Sequence, residues 1–182
     1  IIPPLSEADW QAEFFKYQQF PEYQKINMGM SLESFKTIFW FEYFHRILGR
    51  FIGIVFFFPF MYFLVLRRIR KGLSLKLSVI FLLGAAQGVL GWYMVKSGLV
   101  DNPRVSQYRL TAHLGLAVLI YAGILWIAFS LLNSPRERLQ KLYVPSMAIS
   151  CLIFVMILSG GLVAGTKAGL VYPTFPLMGE TF

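Results

Sequence analysis

Ile38 to Leu66 reads IFWFEYFHRILGRFIGIVFFFPFMYFLVL, an apolar run well beyond the roughly 20 residues a helix needs to cross a bilayer. It lacks the strict alternation of a barrel strand, and backbone groups in lipid must be satisfied within their own segment, so the run is a membrane-spanning helix. Three further apolar runs follow at residues 77–95, 105–132 and 143–165. The fold class expected is therefore all-α, a polytopic membrane helical bundle with four transmembrane helices in these residues. The composition agrees: of 182 residues, 57% are hydrophobic, 17% aromatic and only 14% charged, with a mean hydropathy of +0.60. Ordinary soluble domains carry about 25% charged residues, so a water-soluble globule is excluded. Disorder is excluded by the same apolar content, and a disulfide-stapled fold by the single cysteine, Cys151.

Outward from the first span, the chain divides into three. Residues 1–37 form an outer arm with short helices, in which Trp10, Phe14, Phe15, Tyr17, Phe20 and Tyr23 alternate with Glu7, Asp9, Glu13, Glu22 and Glu33. Aromatic rings of this kind settle at headgroup level. Ser6 and Ser31 each read as an N-cap, the first with Asp9 in a capping-box position. Residues 38–142 hold three transmembrane helices, and residues 143–182 a fourth helix with a turn-rich aromatic tail. The chain opens Ile1-Ile2-Pro3-Pro4 without a methionine, so it is expected to be a piece of a longer protein. Short connections make the four helices sequential antiparallel neighbours. Gly84, Gly88 and Gly91 on the second span mark a helix contact, Pro59 is expected to kink the first span, and Pro145 to start the fourth.

The net charge of +8 is placed unevenly. Eight basic residues lie in the first and third connections: Arg67, Arg68, Arg70, Lys71, Lys76, Arg136, Arg138 and Lys141. The positive-inside rule turns that side toward cytoplasm or matrix, and the arm and tail toward periplasm or intermembrane space. The charge thus speaks for topology, not for nucleic acid.

Both histidines, His45 and His113, lie inside apolar runs. On the orientation above they sit about 10 to 12 Å below the outer rim of two helices that run the same way. Two imidazoles at one depth can hold one iron from opposite sides; each can also be a packing or hydrogen-bonding residue. Zinc would want three or four ligands, and no Cys, His or carboxylate cluster accompanies either histidine. A haem supplies four nitrogens itself and needs only two axial ligands. No Cys-x-x-Cys-His motif exists, so such a haem would lack thioether links. Glu42, His45, Arg46, Gly49, Arg50 and Gly53 follow at helical spacings, and Arg109 precedes His113 by one turn. Arg46, Arg50 and Arg109 suit haem propionates, and Gly49 and Gly53 would clear room for the ring. Glu42 is either the i to i+4 ion-pair partner of Arg46 or a catalytic carboxylate. A non-enzymatic bis-histidine cytochrome b that carries electrons explains the histidines and arginines equally well.

These residues resemble the haem A synthase family, of the alphaproteobacterial and mitochondrial type. Glu42-Tyr43-Phe44-His45-Arg46 is similar to its Glu-x-x-His-Arg motif, and Arg109-Leu110-Thr111-Ala112-His113-Leu114-Gly115 to its second ligand segment. The arm, with Pro3-Pro4-Leu5-Ser6 and Met28-Gly29-Met30-Ser31-Leu32, resembles the first outer loop, and Gly160 to Met178 the opening of the second half. The resemblance implies an eight-helix protein of two four-helix halves, of which this chain would be helices two to five. It implies haem O or haem A iron held by His45 and His113, a catalytic Glu42, and oxidation of the haem O C8 methyl to the formyl of haem A, with water as oxygen source. A haem b would belong to residues not present here. The partners expected are haem O as substrate and membrane lipid, with haem O synthase, an electron acceptor and a second copy of the chain as further candidates, and no nucleic acid.

Overall fold

The computed structural model describes residues 2–98, 105–132 and 140–170; the connection residues Arg104, Arg136 and Arg138, the Lys141 side chain and the tail from Val171 to Phe182 lie outside that description. Among the described residues the chain is helical and has no strand. Two short helices, α1 (Glu7–Gln18) and α2 (Pro21–Lys25), precede four long ones, α3 (Leu32–Val65), α4 (Lys71–Gly98), α5 (Gln107–Leu132) and α6 (Gln140–Thr166), and a 3₁₀ turn at Ala168–Leu170. All four long helices are apolar and long enough to cross a membrane.

Contacts group the chain into two compact units. The first holds the arm, α3 and α4 through Phe81, together with the end of α4 from Val95. Here α1 starts where the sequence says: Ser6 Oγ accepts from the Asp9 amide, and the Asp9 carboxylate accepts from the Ser6 amide and hydroxyl. These bonds to the ionised form hold the Asp9 carboxyl below its usual range. The arm then packs on the first turns of α3 through rings. Trp10, buried, meets Phe39 edge-on at 5.0 Å, while Phe14 and Tyr17 lie against Phe35 at 5.2 and 5.0 Å. Asn27 Nδ2 donates to the Tyr17 hydroxyl at 2.7 Å, and Lys36 bridges Glu7 and Glu33. With 34 residues, α3 is about 51 Å long against a hydrocarbon core of about 30 Å. That excess explains why its capped amino-terminal turns can serve as a polar and aromatic platform for the arm. Deeper in α3, Phe56 stacks on Phe81 of α4 at 6.1 Å and Phe57 meets the same ring tilted at 5.6 Å.

Pro59 lies inside the continuous helix α3. The helix ends with Arg67 in the left-handed region (φ 52°), its amide bonding to the Leu64 carbonyl while Arg68 reaches Phe63. A non-glycine residue at such a position carries strain, which the two hydrogen bonds offset.

The second unit holds α4 from Leu82 to Met94, α5 and α6. Helices α5 and α6 run antiparallel at backbone contact, and glycine is what lets them. A Cβ on Gly165 would fall 2.6 Å from Gln107 Cα, one on Gly161 3.0 Å from Thr111 Oγ1, and one on Gly115 2.8 Å from Leu158 Cδ2. Among the second-span glycines, Gly91 faces α5, whereas Gly84 and Gly88 meet nothing within 4 Å. The expected contact therefore narrows to one of the three. Pro145 does not start the fourth span; α6 already begins at Gln140 and carries Pro145 in its second turn. The polar residues before the apolar run continue the helical hydrogen bonding, which hydropathy does not register. Most apolar side chains along the spans are exposed, as expected of helices whose outer surface meets lipid.

Two outcomes follow from this packing. Gly165→Ala is expected to destabilise by about 1 to 3 kcal/mol, because backbone must move, while Gly160→Ala, with nothing within 4 Å, is silent; thermal unfolding in detergent separates them. The lowered Asp9 carboxyl stabilises α1 above the ordinary carboxylate value of 3.8, and this is lost as pH falls through the depressed midpoint. Ser6→Ala is expected to return the Asp9 midpoint toward 3.8, read by NMR titration.

Candidate haem-ligand helices

Helix α3 carries His45 on an exposed stripe with Glu42, Arg46, Gly49, Arg50 and Gly53. At 100° per residue these six positions span about 140° of the helix circumference. Arg46 pairs with Glu42 across one turn, both side chains about half exposed. That pairing is one of the two readings of Glu42, whose position is one helical turn before His45. An added Cβ at Gly49 or Gly53 would meet nothing within 4 Å, so the stripe is open over both. Among the described residues His45 makes no hydrogen bond or ring contact, and the aromatic group of the arm ends one residue before it, at Phe44 stacked on Trp40 at 5.4 Å.

His113 has different surroundings. It is partly buried on α5 against α4, where its Cε1 would lie 3.0 Å from a Cβ on Gly91, with Nε2 at 3.6 Å and Nδ1 at 3.7 Å. Gln87, one turn before Gly91, donates from Nε2 to the His113 backbone carbonyl at 2.9 Å. One turn before His113, the Arg109 guanidinium lies over the Tyr93 ring at 4.9 Å, a cation–π contact. Three α4 residues thus hold two α5 residues. Sequence reading placed Gly91 in a stripe without knowing its partner and passed over Gln87. The signal for Gln87 was present: a lone amide in an apolar run, between glycines at 84, 88 and 91.

The Thr111 hydroxyl and the Gln87 Oε1 are buried without a hydrogen-bond partner among the described residues. The best-formed concavity, an apolar groove of about 530 Å³ lined by Tyr108, Ala112, Leu119 and Leu158 among others, opens on a different face of α5 from His113. It is shallow and almost wholly apolar, with Thr111 and Tyr108 the polar residues on its lining.

No three His, Cys, Asp or Glu side chains converge among the described residues. What the two helices offer is one imidazole each, with arginines and open glycines beside one and a glycine under the other. A single imidazole is the kind of donor a flat metal macrocycle takes, since the macrocycle brings its own equatorial nitrogens.

Four apolar helices with an imidazole on α3 and another on α5 define an integral membrane protein with intramembrane metal-ligand candidates. The whole chain, residues 1–182, matches the model of COX15-CtaA, the cytochrome oxidase assembly protein family, and the chain belongs to that family. It is 61% identical over its full length to the heme A synthase of Nitrosospira multiformis, covering 52% of that protein. The heme A synthase of Parvibaculum lavamentivorans is 52% identical over the full chain, which covers 53% of it. Heme A synthase COX15 of Arabidopsis thaliana is 46% identical, again over the full chain, with 43% of its own length covered. The chain spans about half the length of the curated relatives it matches. No solved structure matches it.

Thr111→Val removes a buried hydroxyl that has no partner among the described residues while keeping the side-chain volume. Thermal stability is expected to stay level or rise by up to about 1 kcal/mol, and a loss larger than that would show a partner for the hydroxyl.

Proposed function

We propose that this chain is the amino-terminal, substrate-holding half of a haem A synthase, with haem O as substrate and oxidation of its C8 methyl to the formyl of haem A as the reaction. The observation that carries the reading is the stripe on α3: a single imidazole flanked by a paired carboxylate and two arginines, above glycines that leave space for a flat ring. The relatives named heme A synthase support it along the entire chain.

In this reading His45 and His113 bind the iron of the substrate, one from α3 and one from α5. The substrate macrocycle supplies the delocalised system from which electrons can be withdrawn. Arg46 and Arg50 lie on the same stripe as His45, and Arg109 one turn from His113; they receive the two propionates and so fix which edge of the ring faces the outer rim. Gly49 and Gly53 admit the ring face. Glu42 stands one turn from His45 and accepts a proton as the methyl carbon loses electrons and gains an oxygen from water. Its contact with Arg46 holds the carboxylate in place, and a propionate arriving at Arg46 would compete for the guanidinium. The electrons leave to an acceptor, and a haem b held by the other half would suit the relay. The protein resides in a bacterial or mitochondrial inner membrane with the arm on the outer side, as the basic connections direct.

The test is incubation of the full-length protein with haem O, followed by mass spectrometry of extracted haem. Wild type is expected to yield haem A, and Glu42→Gln to lose most of it, on the order of 10² or more for loss of a positioned proton acceptor. Haem A formed at the wild-type rate by Glu42→Gln would remove Glu42 from the mechanism. Recovery of haem O alone from wild type would leave the electron-carrier reading.

A further inference from the structure

The geometry points to Gln87 and Gly91 of α4 as positioning residues that set the rotation of the His113 imidazole, an inference that rests on the reading of His113 as an axial ligand. The contact is with the ring itself. All three atoms of the N–C–N edge lie within 3.7 Å of where a Gly91 Cβ would stand, and the nearest, Cε1, at 3.0 Å. A Cβ contact of 3.0 Å is tighter than nine in ten real ones, so any larger residue here would push the ring by a few tenths of an ångström out of this position. Gly91 therefore acts as a slot: the ring edge points into α4, and the two nitrogens are directed to either side of the contact.

Gln87 fixes the other coordinate. Its Nε2 hydrogen bond to the His113 carbonyl, 2.9 Å, ties the α5 backbone at the ligand residue to α4 one turn from the slot. A hydrogen bond between helices in an apolar setting holds a register without making the fold. The Arg109–Tyr93 contact repeats the tie one turn nearer the α5 amino terminus. Backbone and ring are thus both set by α4, which carries no ligand of its own. A ligand oriented by a second helix keeps its angle when substrate enters or product leaves, as outer partners of metal-bound histidines do elsewhere.

The experiment uses electron paramagnetic resonance of the full-length, haem-loaded protein, because the largest g value of a low-spin ferric haem follows the planes of its axial imidazoles. Gly91→Ala is expected to shift that g value for one haem, at unchanged total haem content. Gly88→Ala, the same change where nothing lies within 4 Å, is expected to match wild type. Should Gly91→Ala fail to accumulate, Gln87→Met serves instead and is expected to broaden the same signal by loosening the register. Unshifted g values in the variant that accumulates would overturn the seat. His113→Gly is the separating control: loss of one low-spin signal supports the ligand reading on which the seat rests. Retention of that signal would overturn ligand and seat together, whereas loss in His113→Gly with no shift in Gly91→Ala overturns the seat alone.

Discussion

An imidazole inside a membrane span is costly unless something there uses its nitrogens, and this chain has two of them and no histidine elsewhere. The same hydrocarbon that makes the nitrogens expensive also forces every backbone amide into a helix, so the ligand candidates are delivered on rigid elements, not loops. The rest of the structure can be read as the means of holding those two side chains. Helix α3 is long enough to present His45 within the apolar zone while its first turns remain outside as a platform for the arm. Helix α5 is clamped from both sides, by α4 at His113 and by α6 along a line of glycines.

Glycine has three separate uses here, and they are not interchangeable. On α6, Gly161 and Gly165 bring two backbones together, which in lipid replaces the hydrophobic drive that folds soluble proteins. On α4, Gly91 makes room for a single side chain. On α3, Gly49 and Gly53 border open space. Helix α3 is accordingly clothed with rings at its amino-terminal end and bare around His45, where charge is concentrated instead.

Much of this was legible in the residues. Four apolar runs gave four spans, because hydropathy over about 20 residues reports directly on transfer into lipid. Ser6 and Ser31 gave two helix starts, since a cap is a local hydrogen bond that depends on its own few residues. Helix ends were less legible: α4 begins at Lys71 and α6 at Gln140, each before its apolar run, because backbone bonding continues into polar sequence beyond the membrane. The candidate site residues stand out by type, His and Arg where neither is cheap. What spacing could not show was which glycine of three faces a neighbour, or that Gln87 reaches the His113 carbonyl. Both depend on the rotation of α4 against α5, which is a property of packing between segments.

The central proposal is that His45 and His113 hold one iron between them. Near-infrared magnetic circular dichroism of the ferric, full-length protein counts haems with two imidazole ligands directly. The account predicts that His45→Ala and His113→Ala each remove the bis-imidazole band of the same single haem, leaving any other haem intact. Full band intensity in both variants would contradict it.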